Sequence, residues 1–412
     1  VHDVDIGGQN LSIVAMGPRD VPQDFGDEGG ARTRWRTTTS EAIGYGLYLL
    51  ATAAKNGAGD GQEQAIFDKM WRFSQAMPSP SSPAHDGVHL MSWLWDPDSE
   101  QYRAWLADPL AGKRLLGSAA DGDIWIARAL MIANQVWGSD GEQDYARRAR
   151  ATLELIKTYT IGPDSNLILL GDWVAPNLPI QASTPGCTIT RPIHGQYVTR
   201  TSDFVWSFFA DFYAWTGDER WLAVIRATQR EIERIQAKYA SKLVPDIVIV
   251  DGEQVRGADF DVFCDNTESG LDRFGWNAVR NPIWWTIAAQ QGTPEFAAKK
   301  SRDILHAMGR AMLDRGAIRP SQVGYEHSIA DGKSAGAEYV SELYLASFLA
   351  ALSYANPADD QRADVQAAVD ELFSAVASSR FDDEYFGDTV ALIGLDGLLG
   401  QAKANATTKA SP

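Results

Sequence analysis

Two carboxylates one residue apart, Asp121 and Asp123, stand at the mouth of the run from Ala119 to Trp137. Paired carboxyl groups do acid–base chemistry: one keeps a proton to give, and the other takes a proton from water or holds a substrate. The run behind them is helical in pattern, with Ile126, Leu130, Ala133 and Trp137 recurring on one face. Asp121 falls where an N-cap belongs, just ahead of the first periodic residue. Capping alone would account for it, so the residue has a structural and a chemical reading. A second acidic side chain opens a helix at Glu41, in Thr39-Ser40-Glu41-Ala42-Ile43-Gly44-Tyr45-Gly46. Negative charge is favoured in a first helical turn. Gly44 and Gly46 each cost about 1 kcal/mol in a helix interior, so they predict close packing or the close approach of a ligand.

The chain that must position these groups has 412 residues, 45% of them hydrophobic, enough for a large core. Its 54 acidic and 37 basic side chains leave a formal charge of −17. Such a surface repels nucleic acid and acidic lipid, tolerates neutral polymers and attracts cationic ones. No nucleic-acid or membrane partner is therefore expected. No apolar run approaches the roughly 20 residues that span a bilayer, and no signal peptide opens the chain at Val1. The two cysteines, Cys187 and Cys264, lack metal-type spacing and leave a disulfide open. No metal or other cofactor is expected. With 14 Trp and 13 Tyr, most aromatics fill the core, and a few along a groove would stack on sugar rings.

Residues 1–35 read as an irregular, Gly- and Asp-rich arm. Helices are expected over 42–54 and 63–76, then an irregular segment over 85–118. A rhythm follows: helices over 122–137, 202–215, 278–290 and 336–354, each ended by a Gly or Pro stop and followed by a second helix reaching about 158, 237, 314 and 378. A final helix fits 384–398. Strand signals are few: Leu167–Leu170 and Ile247–Val250. The tail 403–412 reads as linker. Helical hairpins at this spacing fit a closed ring or an open solenoid, and the pattern alone does not choose.

Four ordered segments resemble glycoside hydrolase family 8, the inverting endo-glycanases. The Asp121 run is similar to that family's signature, with Ala120 where Ser or Thr is usual. Thr39–Gly46 is similar to its Ser-Glu-Gly-Gln-Gly-Tyr-Gly-Met, with Ala42 and Ile43 departing. Thr199-Arg200-Thr201-Ser202-Asp203-Phe204, with Thr216-Gly217-Asp218 beyond it, resembles its Arg-Pro-Ser-Asp segment and Thr-Gly-Asp turn. Phe274-Gly275-Trp276-Asn277-Ala278-Val279-Arg280-Asn281-Pro282 aligns with a segment that often reads Tyr-Asp-Ala-Xaa-Arg-Xaa-Pro.

The resemblance implies an (α/α)6 barrel, a single catalytic domain over residues 1–402, acting as a secreted or periplasmic monomer on a β-1,4-linked polysaccharide. It makes Glu41 the general acid and Asp121 the residue that holds the sugar at the cleavage point. Many members carry the general base where Asn277 stands, and an amide takes no proton from water at neutral pH. Either the chain belongs to a branch with Asn there and a Glu from a preceding loop, or Asn277 is an inactivating replacement. The acidic stretch Asp265–Arg273 favours the first and nominates Glu268 over Asp265 and Asp272. An inverting pair of carboxyl groups stands about 6.5–9.5 Å apart. Substrate contacts are expected at Tyr45, Trp93, Asp123, Trp125, Asp203, Trp276, Asn277 and Arg280. Cellulose or mixed-linkage β-glucan is the expected substrate, with chitosan the alternative. Two rivals of other classes are a carbohydrate-binding barrel without activity and a helical scaffold.

Overall fold

Each helical pair joins an apolar helix to an amphipathic one, and this asymmetry organises the chain. The structure, a computed structural model, describes residues 1–17, 36–97, 103–104, 107, 116–180, 193–252, 254–258, 273–316, 319–336, 342–356, 358, 361–378 and 386–395. Among them the pairs are α1 (Ser40–Lys55) with α2 (Glu63–Ala76), α3 (Ala120–Trp137) with α4 (Tyr145–Tyr159), α5 (Trp206–Thr216) with α6 (Arg220–Lys238), α7 (Asn281–Gln291) with α8 (Glu295–Asp314), and α9 (Glu342–Leu352) with α10 (Arg362–Ala377). The first member is the more apolar. In α9 every residue from Leu343 to Leu352 is buried, and α3 is buried from Ala120 to Ala127 without a break. A helix apolar all round must be covered on all sides. The second members, such as α6, bury one stripe and turn Arg and Glu outward.

The chain divides into two compact units, one chiefly Val1–Ile161 with Leu170–Val174, the other chiefly Gly162–Leu169 with Ala175–Arg380. In the first, α1 packs on α2 and α3, and α3 on α4. In the second, α7 packs on α5, α8 and α9. No helix among the described residues is long and apolar enough to cross a membrane.

The strands are short and sit at loops. The start of the expected irregular arm is instead a hairpin, β1 (His2–Ile6) with β2 (Gln9–Ile13), turned by Gly7 and Gly8 at positive φ. Two such residues suit the tight turn of a hairpin, and Val4, Leu11 and Ile13 are buried, with β2 packing on α2. β3 (Thr38–Thr39) pairs with β4 (Leu94–Trp95). In the second unit β5 (Val198–Arg200), β6 (Ile247–Asp251) and β7 (Gln254–Ala258) form one antiparallel sheet; β8 (Arg273–Phe274), β9 (Tyr325–Ser328) and β10 (Ser334–Gly336) form another. The Ile247–Val250 strand is as expected. Leu167–Leu170 makes no strand: its apolar side chains are buried, and Leu170 O instead accepts Ala120 N. The expected 202–215 and 278–290 helices start later, at Trp206 and Asn281, behind 3-10 turns over Thr201–Asp203 and Ala278–Arg280. Residues 18–35 and the 403–412 tail lie outside the described residues.

Candidate active site

In the first unit, Glu41 and Asp121 each lie one residue from a helix-to-helix contact. Thr39 caps α1, its Oγ1 accepting from Ala42 N at 3.1 Å. A Cβ on Gly44 would lie 2.7 Å from Trp125 Cβ and 3.0 Å from Gly122 O, and one on Gly122 would lie 2.6 Å from the Ser40 carbonyl carbon. The first turns of α1 and α3 therefore abut with the same polarity. The glycines of α1 serve packing: Gly44 faces α3, and Gly46 faces Val14 and Met70. Glu41 is half-buried, and the Tyr45 hydroxyl donates to its Oε1 at 3.0 Å.

Asp121 is not the N-cap. Ala119 holds that position in extended conformation, and Asp121 sits inside the first turn with its Oδ1 accepting Gly122 N at 2.8 Å. The helix start finds other partners. Ala120 N donates to Leu170 O at 3.3 Å, Ser118 N donates to Asp172 Oδ1 at 2.7 Å, and Asp172 Oδ2 accepts the Ser82 hydroxyl at 2.7 Å. Asp121 itself is 3% exposed.

Asp123, expected at the substrate, is 1% exposed. Burial pushes its carboxyl well above the usual range; the Ser118 side chain pulls it back, and the nearby charges of Asp172 and Asp121 push it further up. Trp125 and Tyr45, expected as stacking platforms, are both fully buried, with Trp125 edge-on to Tyr45 at 4.8 Å and to Tyr48 at 4.9 Å. Trp125 and Tyr45 lie in the α1–α3 contact, whereas Asp123 is enclosed beside Ser118 and Asp172. Trp93 keeps part of its surface, and its carbonyl accepts Ser40 N at 2.9 Å.

The second unit gathers Asp203, Asn277 and Arg280 at the starts of α5 and α7. Arg280 Nη2 donates to Ser202 Oγ at 3.0 Å and to Asn277 Oδ1 at 2.8 Å. Asn281 Nδ2 donates to Thr201 Oγ1 at 2.8 Å, and Trp206 stacks on Trp285 at 5.0 Å. Asp203 has no exposed surface and is ion-paired with Arg200 at 3.0 Å; Arg280 is 2% exposed. These two brace the turns, Asp203 through Arg200 and Arg280 through Ser202 and Asn277. Asn277 and Trp276 keep part of their surface, with Trp276 edge-on to Tyr344 at 5.3 Å. Glu268, the nominated base, lies outside the described residues, as do Cys187 and Cys264.

Two carboxyls escaped the sequence reading. Asp172 sits 54 residues from the Ser118 amide that it holds. Asp246 accepts backbone N–H groups of the Asn277 turn, and burial pushes it up to about 6. A lone Asp in a loop or ahead of an apolar strand has no pattern to betray it.

The sequence profile described as glycosyl hydrolases family 8 matches residues 29–394. A beta-glucanase of Niallia circulans is 31% identical over 253 residues, 61% of this chain and 52% of that protein. An endoglucanase of Bacillus sp. strain KSM-330 is 27% identical over 318 residues, 76% of this chain and 58% of that protein. The chain thus spans little more than half the length of these relatives. Among solved structures, an apo beta-1,3-1,4-glucanase from Paenibacillus sp. X4 superposes with a TM-score of 0.67 at 23% identity, covering 92% of this chain and 88% of that one. A cold-adapted family 8 xylanase superposes at 0.62 and 17% identity, covering 97% and 85%. The fold is shared with these structures, and with the profile matched over most of its length the chain belongs to glycosyl hydrolase family 8.

Proposed function

We propose that this chain is an inverting endo-β-1,4-glycanase acting on cellulose or mixed-linkage β-glucan. Its helical pairs close into one (α/α)6 barrel over residues 1–402. Glu41 protonates the leaving oxygen, Asp121 holds the sugar at the cleavage point, and Glu268 activates the water. The observation that carries this reading is the abutment of the first turns of α1 and α3, the turns that carry Glu41 and Asp121. Tyr45 holds the Glu41 carboxyl by one oxygen. The names of the relatives, a beta-glucanase and an endoglucanase, support the substrate class. The Asn277 branch and the Glu268 base rest on the sequence resemblance.

Reducing-sugar release from carboxymethyl-cellulose, lichenan, chitosan and xylan tests the reading, with the product anomer followed by proton NMR. Fast release from the glucans with α-anomer formed first is expected. Faster release from chitosan would move the substrate to glucosamine polymers. Binding without any release would favour a sugar-binding barrel, the reading that Asn277 motivates.

The base has its own test. Glu268→Gln is expected to lower kcat by about 10²–10⁴-fold, whereas Asn277→Asp brings no large gain. If Asn277→Asp instead switches activity on in an inert protein, the base position is 277 and Glu268 is a bystander.

A further inference from the structure

Asp246 is a carboxyl group to which the proposed mechanism gives no task. It stands directly ahead of β6, and its Oδ1 accepts Ala278 N at 2.7 Å and Gly275 N at 3.1 Å. Its Oδ2 faces Asn277 Nδ2 at 3.4 Å. Its backbone closes the same corner: Asp246 N donates to Arg273 O at 3.1 Å, and Thr201 N donates to Asp246 O at 2.9 Å. One residue thus ties together the turn of Asn277, strand β8 and the 3-10 turn of Asp203. On the far side of the Asn277 amide, Arg280 Nη2 donates to Oδ1 at 2.8 Å. A side-chain amide has one donating and one accepting end. With a carboxylate on one side and a guanidinium on the other, a single amide orientation satisfies both.

We propose that Asp246 is a positioning residue for the hydrolysis, setting the Asn277 amide with its NH2 toward the carboxylate and its oxygen toward Arg280. The second amide hydrogen and the second lone pair then meet the attacking water in a fixed geometry. This rests on the proposed function, and on Asn277 standing where many family members carry the base that faces the water. Asn277 is partly exposed, as such a role requires.

The same contact makes the arrangement sensitive to acid. Although part of Asp246 is open to solvent, the protein around it pushes its carboxyl up to about 6, and the N–H donors of Ala278, Asn277 and Gly275 hold it from rising further. The ionisable groups around it are Arg280 beyond Asn277, Tyr344 on α9, whose own titration Asp246 raises, and Arg273 and Glu326, which also act on Tyr344. Burial of Tyr344 raises its own titration, so it stays neutral as Asp246 takes its proton. Protonated Asp246 turns a hydroxyl toward Asn277 Nδ2, donor against donor, and the amide orientation is lost.

The test is Asp246→Asn, which keeps an oxygen for Gly275 and Ala278 but sets NH2 against NH2 at Asn277. Its kcat on lichenan should fall by about 10²-fold, the order expected of a misplaced reacting group, with KM little changed. The acid limb of the wild-type kcat profile, centred near pH 6, should vanish. The swapped pair, D246N with N277D, restores one donor facing one acceptor and should recover part of the loss. Wild-type kcat and an unchanged acid limb in the single variant would overturn the proposal. A second readout does not need turnover. In protein labelled with 15N-asparagine, the Asn277 side-chain resonances should shift with a midpoint near pH 6 in the wild type and not in the variant. Resonances indifferent to pH in the wild type overturn the proposal even if the protein hydrolyses glucan. Resonances that titrate in a protein inert on every glycan would sink the hydrolase reading while the Asp246–Asn277 coupling stands.

Discussion

Glu41→Gln is expected to fold with an unchanged melting temperature and to lose about 10²–10⁴-fold in kcat on cellulosic substrates. The amide keeps an oxygen that can accept from the Tyr45 hydroxyl, so the contact at 3.0 Å survives the change. What disappears is the proton for the leaving oxygen. The loss should therefore shrink on an aryl glycoside whose leaving group needs no protonation. Comparing the variant on lichenan and on such a glycoside separates a lost acid from a lost fold. Near wild-type rates on lichenan would remove Glu41 from the role.

The second large effect belongs to a residue with no side chain. Gly122→Ala places a methyl group 2.6 Å from the Ser40 carbonyl carbon, backbone that cannot swing aside. The helices must part, and overpacking of this kind costs about 1–3 kcal/mol. For a protein of this size each kcal/mol lowers Tm by about 1 °C. Parting the helices also separates the turns that carry Glu41 and Asp121, so kcat should fall together with Tm. Gly141→Ala is the control, since a Cβ there meets nothing within 4 Å. Equal Tm and kcat in the Gly122 variant and the control would mean that the helix contact tolerates a spacing the geometry forbids.

Helix pairing and the residues opening the helices were legible in the sequence because both follow local rules. Capping Thr39, the glycine-stopped helix ends and the apolar run of α9 are written within a few residues of where they act. Burial was less legible. Asp123, Trp125 and Asp203 lie in the matched segments and looked like a sugar-binding surface, yet all three are buried: α1 covers Trp125, Ser118 and Asp172 stand beside Asp123, and Arg200 holds Asp203. Such a segment serves packing as well as chemistry, and a motif does not say which of its residues face out. Asp121 as a cap failed for a related reason. Its helix start is satisfied by the 170–172 segment, a partner no local pattern reveals. Asp246 and Asp172 act through groups far from them in the chain, so nothing near them in sequence marks them.

The reach of Asp172 also orders the assembly of the chain in time. Its bond to Ser118 closes a loop of 54 residues, and closing a long flexible loop costs entropy that no early contact recovers. Most of that loop is α3 and α4, which pack against each other. Once the two helices have formed, the ends of the loop are already near and the remaining closure is short. The pin on the Asp121 turn is therefore expected to form after the helical hairpin, on the native side of the folding barrier. Weakening it should quicken unfolding while leaving the rate of folding almost untouched. A chain still being synthesised has its acidic helix before it has the residue that sets the helix start in place.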